Sequence, residues 1–152
     1  MVTPDNWHPH VTVAALVERD GQFLLVEEWS RGRRVFNQPA GHVEPCETLI
    51  EACRRETLEE TGWRVEPTAV LAVQRWHRPY SQHTYFRTVL IAEALEEKAN
   101  AELDSDIIQA HWMSYDDIIR ARASLRSPLV ESTVATYLDG QCYPLSLLQD
   151  WG

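Results

Sequence analysis

The chain has 152 residues, 44% of them hydrophobic and 24% charged, with a formal net charge of −9. That length and balance predict one globular domain over residues 1–152 with a sizeable core. The excess of acid argues against a nucleic-acid-binding surface, and no apolar run approaches the ~20 residues of a membrane span.

In chain order, Val11, Val13, Ala15 and Val17 alternate as a strand, and Asp20-Gly21 suits a hairpin turn. Phe23 to Glu28 is the return strand, Arg31 to Arg34 a basic loop, and Val35 to Ala40 leads into the segment Gly41 to Trp63. Two long strands follow, Ala69 to Arg78 and Thr84 to Leu95, joined around Pro79-Tyr80-Ser81-Gln82. Ile108 to Met113 is a short strand. Ser114 with Asp117 caps a helix over Tyr115 to Ala121, and a last helix covers Leu129 to Leu138, stopped by Gly140. The apolar tail Leu145 to Trp151 has two possible resting places, its own domain or a second subunit, so monomer and homodimer both stay open. Strands with few helices predict an α/β fold with a mixed sheet packed between helices. Cys46, Cys53 and Cys142 are odd in number and lack ligand spacing, which fits a reducing cytoplasm.

The densest chemistry lies between Gly41 and Gly62. Thr48 followed by Glu51 reads as a capping box, and Gly62 suits the left-handed residue that ends a helix. At ~100° per residue, Glu56, Glu59 and Glu60 fall within an arc of roughly 100°. Leu49, Ile50, Cys53 and Thr57 cover the neighbouring arc, so one stripe meets a core while the next presents acids. Like charges this close raise one another's pKa and weaken the helix. A divalent cation reverses both effects, and oxygen-only donors suit Mg²⁺ or Mn²⁺. The net negative charge adds to the case, because a phosphate substrate needs a neutralising ion.

The spacing Gly41, five residues, Glu47, seven residues, Arg55-Glu56, two residues, Glu59-Glu60, one residue, Gly62 and an apolar Trp63 resembles the signature of the Nudix hydrolases. Thr57 stands where that family usually has an aliphatic residue. The resemblance implies an α/β/α Nudix sandwich with the motif helix against the sheet. It further implies metal ligation by Glu56, Glu59 and Glu60 with the Gly41 carbonyl, and a rotamer-fixing role for Arg55. Glu44 and Glu47 would support the loop and the helix start. The general base is either Glu56 or an acid of a later loop, Asp104 or Asp106.

Further pieces, His10 to Ala14, Asn37 to His42, Asp104 to Ile107, Leu125 to Leu129 and Tyr143 to Leu145, resemble a bacterial phosphatase branch of the same family. That likeness implies a Mg²⁺-dependent enzyme releasing phosphate from nucleoside di- and triphosphates, hydroxymethylpyrimidine diphosphate and thiamine diphosphate. Substrate contacts would come from Arg34, Gln38, His42, Arg75, His77, His83 and Arg87, with Trp76, Tyr80 or Tyr85 stacking on a base. Two competing readings are a Nudix pyrophosphohydrolase for oxidised nucleotides, ADP-ribose or dinucleoside polyphosphates, and a non-catalytic nucleotide-sensing domain. The fragment released from a nucleoside triphosphate separates the first; the complete set of motif acids speaks against the second.

Overall fold

A computed structural model describes residues 6–152. Strand β1 (His10–Arg19) turns through Asp20 and Gly21, both at positive φ (53° and 77°), into β2 (Gln22–Ser30). A turn with both central residues left-handed matches the twist of two antiparallel strands. The same device recurs at Arg31 and Gly32 (φ 52° and 73°) before β3 (Arg33–Asn37). The expected basic loop is therefore two residues shorter: Arg33 and Arg34 already pair with Ser30 and Trp29.

The remaining elements are β4 (Ala40–His42), α1 (Leu49–Thr61), β5 (Trp63–His77), β6 (Thr84–Glu97), β7 (Ile107–Ser114), α2 (Tyr115–Arg120), α3 (Leu129–Leu138) and β8 (Tyr143–Pro144). The sheet runs β3-β2-β1-β6-β5-β8, with β4 beside β1 and β7 beside β2. Among the described strands only β1 and β6 pair in parallel, so the sheet is mixed. β1 stays with β2 for just the two pairs beside the turn and then lies between β4 and β6.

Every residue from Val13 to Val17 is buried. Period-two geometry sends alternate side chains to opposite faces. Val13, Ala15 and Val17 meet Ala52 and Cys53 of α1, while Ala14 and Leu16 meet Ile118 of α2 and Val130 and Val134 of α3. Both faces are covered, as expected for a sheet packed between helices.

β5 begins six residues before the expected Ala69. Its register against β6 shifts at Arg64/Val65, Pro67/Ala69 and Val70/Ala72. Those irregularities accommodate Pro67, which has no N–H for a ladder, and they erase the simple alternation that marks a strand in sequence. Leu145 and Leu148 of the tail pack on the α1-side core, while Trp151 is exposed. Among the described residues no helix is long and apolar enough to cross a membrane.

Candidate active site

Helix α1 is fixed at both ends. The Thr48 hydroxyl accepts from the Glu51 N–H at 3.1 Å and the Glu51 carboxylate accepts from the Thr48 N–H at 2.9 Å. Gly62, at φ 75°, donates its N–H to the Leu58 carbonyl. The buried stripe is Ala52, Cys53, Thr57, Glu60 and Thr61. It is rotated from the expected one: Leu49 and Ile50 are half-buried, and Glu60 faces inward. Thr57, fully buried, donates its hydroxyl to the Cys53 carbonyl at 2.7 Å, so the hydroxyl is satisfied inside its own helix.

Glu56 and Glu59 meet Asp104, and their carboxylate oxygens lie within 4.8 Å of one another. Asp104 comes from the loop before β7 and is tied to the helix by its N–H, which donates to the Glu59 carbonyl at 3.0 Å. Arg55 organises this group. Its Nε and Nη2 donate to the two oxygens of Glu47 at 2.6 and 2.9 Å, and its Nη1 donates to Glu56 at 2.7 Å and Glu59 at 3.2 Å. The hydrogen bonds from Arg55 hold the Glu47 carboxyl below its ordinary pKa. Burial pushes the Glu56 carboxyl above its ordinary value, against the pull of Arg55. Burial pushes Glu60 up to about 9, opposed by the Ala40 N–H that it accepts at 2.7 Å and reinforced by Glu28, Glu56 and Asp104. The oxygen-only set of Glu56, Glu59 and Asp104, with Glu56 and nearby Glu60 disfavoured as bare anions by burial, fits a hard divalent cation.

Gly41 joins these acids to a cavity. A Cβ there would stand 2.1 Å from the Glu56 carboxyl carbon, so the Glu56 side chain lies directly on the Gly41 backbone. Gly41 also borders a cavity of about 180 Å³ whose other walls include His42, Trp76, Arg78, Tyr85, Arg87 and Arg126. Arg87 is buried and makes no ion pair among the described residues. Its guanidinium donates instead to the neutral amides of Gln38 (2.8 Å) and Gln74 (3.2 Å). Burial, then the nearby Arg126 charge, lowers its pKa to about 10. Arg126 is paired with the buried carboxylate of Glu28. A buried cation with only neutral partners, beside a second cation, leaves a place for an anion.

Of the residues expected to contact substrate, His42 and Arg87 border the cavity, as do Trp76 and Tyr85. Gln38 is buried behind them; its Nε2 donates to the Val130 carbonyl and its Oε1 holds Arg87. Arg34 lies elsewhere, paired with Glu27 at 3.3 Å. Arg75 and His77 are exposed members of β5, alternating with Gln74, Trp76 and Arg78, which point the other way. Tyr80 is fully exposed in the turn between β5 and β6. Glu60 is outside the three-carboxylate group, and Asp104 is in it. Asp106 is exposed, and its carbonyl accepts from the Trp29 N–H. Arg78 and Arg126 also border the cavity and are not among the expected contacts. Arg126 sits inside the Leu125 to Leu129 segment that carries the family resemblance, its one signal in the sequence.

The model of the NUDIX domain matches residues 7–132. The chain is 43% identical over 144 residues to Phosphatase NudJ of Escherichia coli (strain K12) and, equally, of Shigella sonnei (strain Ss046), covering 94% of this chain and 92% of theirs. Among solved structures, a NUDIX hydrolase from Nitrosomonas europaea superposes with a TM-score of 0.92 at 41% identity, covering 95% of this chain and 98% of that one. A MutT protein from Methanosarcina mazei Go1, at 23% identity and a TM-score of 0.70 over 87% of this chain and 96% of that one, shares the fold.

Proposed function

This chain belongs to the Nudix family of hydrolases acting on diphosphates, and on that premise we propose that it is a Mg²⁺-dependent phosphatase of nucleoside di- and triphosphates and of hydroxymethylpyrimidine and thiamine diphosphates. One observation carries the reading: at Gly41 the acid group of α1 abuts a cavity walled by arginines and aromatic rings. The 43% identity to proteins named Phosphatase NudJ supports phosphate as the released fragment.

Glu56, Glu59 and Asp104 would hold the ion, with the Gly41 carbonyl and Glu60 as further donors; Mn²⁺ suits the same oxygens. When bound, Mg²⁺ supplies Lewis-acid neutralisation of phosphate charge. The chain's own groups do the rest. Arg87 and Arg126 orient the phosphates, and Trp76 and Tyr85 offer faces to a base or pyrimidine ring. Water attacks the terminal phosphorus in line; its oxygen bonds to phosphorus while the bridging oxygen leaves with the remainder of the substrate. Glu56 accepts the water's proton, with Asp104 the alternative acceptor. Arg55 does not reach substrate in this scheme; it fixes the acids. The three cysteines are free thiols, in keeping with a cytoplasmic setting.

The test is a panel of nucleoside triphosphates, nucleoside diphosphates and the two vitamin-related diphosphates, followed by ³¹P NMR with Mg²⁺ or with chelator. Orthophosphate from a nucleoside triphosphate supports the proposal. Pyrophosphate in its place gives the pyrophosphohydrolase reading, and no metal-dependent product across the panel overturns both.

A further inference from the structure

Three imidazoles form a continuous hydrogen-bonded chain that reaches the cavity at His42. His83 Nδ1 lies 2.9 Å from His10 Nε2, and His10 Nδ1 lies 2.9 Å from His42 Nε2. His10 opens β1, His42 closes β4 and His83 precedes β6; the pairing of β1 with both other strands gathers them. Tyr85, the cross-strand partner of His10, stacks on its ring at 4.8 Å with the planes 23° apart. Both nitrogens of His10 are thus committed. His42, which borders the cavity, is held through Nε2, so its other ring nitrogen is Nδ1.

A neutral imidazole has one N–H and one lone pair. The chain therefore has two self-consistent states. In one, all three rings carry the proton on Nδ1: His83 donates to His10, His10 donates to His42, and His42 keeps an Nδ1–H. In the other, all three carry it on Nε2, every bond is reversed, and His42 Nδ1 presents a lone pair. An ionised phosphate oxygen accepts hydrogen bonds, so the first state attracts it and the second repels it. Burial and the neighbouring imidazoles of His42, His83 and His8 hold the His10 pKa below its ordinary value, which favours the neutral form of the central ring.

We propose that the anionic part of the substrate selects the Nδ1–H state of all three rings, making His83 and His10 positioning residues that present the Nδ1–H of His42 to the cavity. The inference rests on the reading that this cavity takes a phosphate. No proton is gained or lost overall; each ring changes which nitrogen holds its own.

The experiment records ¹⁵N long-range correlations of the histidines in the full chain with Mg²⁺, before and after adding adenosine α,β-methylene diphosphate. On binding, His42, His10 and His83 should shift together towards Nδ1–H. His83→Ala should weaken binding about fivefold, the net value of one hydrogen bond. His83→Asn should restore it, because the amide nitrogen can replace Nδ1 as donor. Binding with the three tautomers unmoved, or with His83→Asn no better than His83→Ala, overturns this inference and leaves the phosphate reading intact. Failure to bind at all overturns both.

Discussion

Arg55 grips Glu47 with two parallel hydrogen bonds, 2.6 Å from Nε and 2.9 Å from Nη2, and this leaves Nη1 to serve Glu56 and Glu59. The forked geometry is what lets one cation hold three carboxylates. Lysine keeps the charge and loses the fork. Arg55→Lys should lower kcat about 10- to 100-fold and raise the Mg²⁺ concentration needed for half activity, with little change in substrate KM. A variant with wild-type turnover and metal dependence would remove Arg55 from the organising role.

Gly41→Ala tests the joint between acids and cavity. The new Cβ would meet the Glu56 carboxyl, the far end of a flexible side chain, and no backbone atom is among its nearest contacts. The chain should fold, with Tm shifted by only a few degrees, while Glu56 swings away and kcat falls by about two orders of magnitude. Full activity with a normal Tm would show that Glu56 works from another position.

Asp104 and Asp106 are two residues apart but differ in placement. Asp104→Asn should cost about 10- to 100-fold in activity and in Mg²⁺ affinity. Asp106→Asn should stay near wild type. Calorimetric Mg²⁺ titration beside a phosphate-release assay checks both; the reverse ranking would move the loop acid to Asp106.

Glu60 should make the metal-free protein sensitive to alkali. Its folded pKa of about 9 lies above the ordinary carboxylate value. Stability from this group is full below the ordinary pKa of 4.5 and is lost as pH rises to about 9, because folding must then bury a charge. Thermal melts in chelator should fall from pH 5 to pH 9, and Glu60→Gln should flatten that fall. Saturating Mg²⁺ should flatten it in the wild type. Parallel pH–Tm curves for wild type and Glu60→Gln in chelator would refute the assignment.

Arg87→Met should separate binding from stability. It removes a buried cation that has, among the described residues, only neutral amides for partners, so the free protein should melt no lower than wild type, while KM for a diphosphate rises at least about tenfold. A drop in Tm with unchanged KM would mean that Arg87 is a structural residue.

The motif helix was legible because capping, spacing and charge all act within one short segment: Thr48, Glu51 and Gly62 do what their types predict. The sheet was legible wherever alternation was clean. It failed at the start of β5, where Pro67 and three irregular pairings break the period, and at β4 and β8, which have only three and two residues. The partners in the site were harder. Asp104 reaches Glu59 across 45 positions of chain, and nothing local distinguishes it from Asp106. Gln38 looked like a substrate contact, yet it is a buried brace for Arg87. Arg34 and Arg75 had the right charge on the wrong side of their strands. Residue type announces the chemistry a side chain can do; alternation along β5 and β6 decides that Arg87 faces the cavity and Arg75 does not.

The cavity wall and the acid group come from different elements. Trp76, Arg78, Tyr85 and Arg87 all ride on the β5–β6 hairpin or its connecting turn, where Trp76 pairs with Tyr85 and Gln74 with Arg87. The acids belong to α1 and to the loop before β7. The acids and much of the cavity wall thus lie on different stretches of chain. A substitution on the hairpin can therefore reshape that wall while the acid group stays in place.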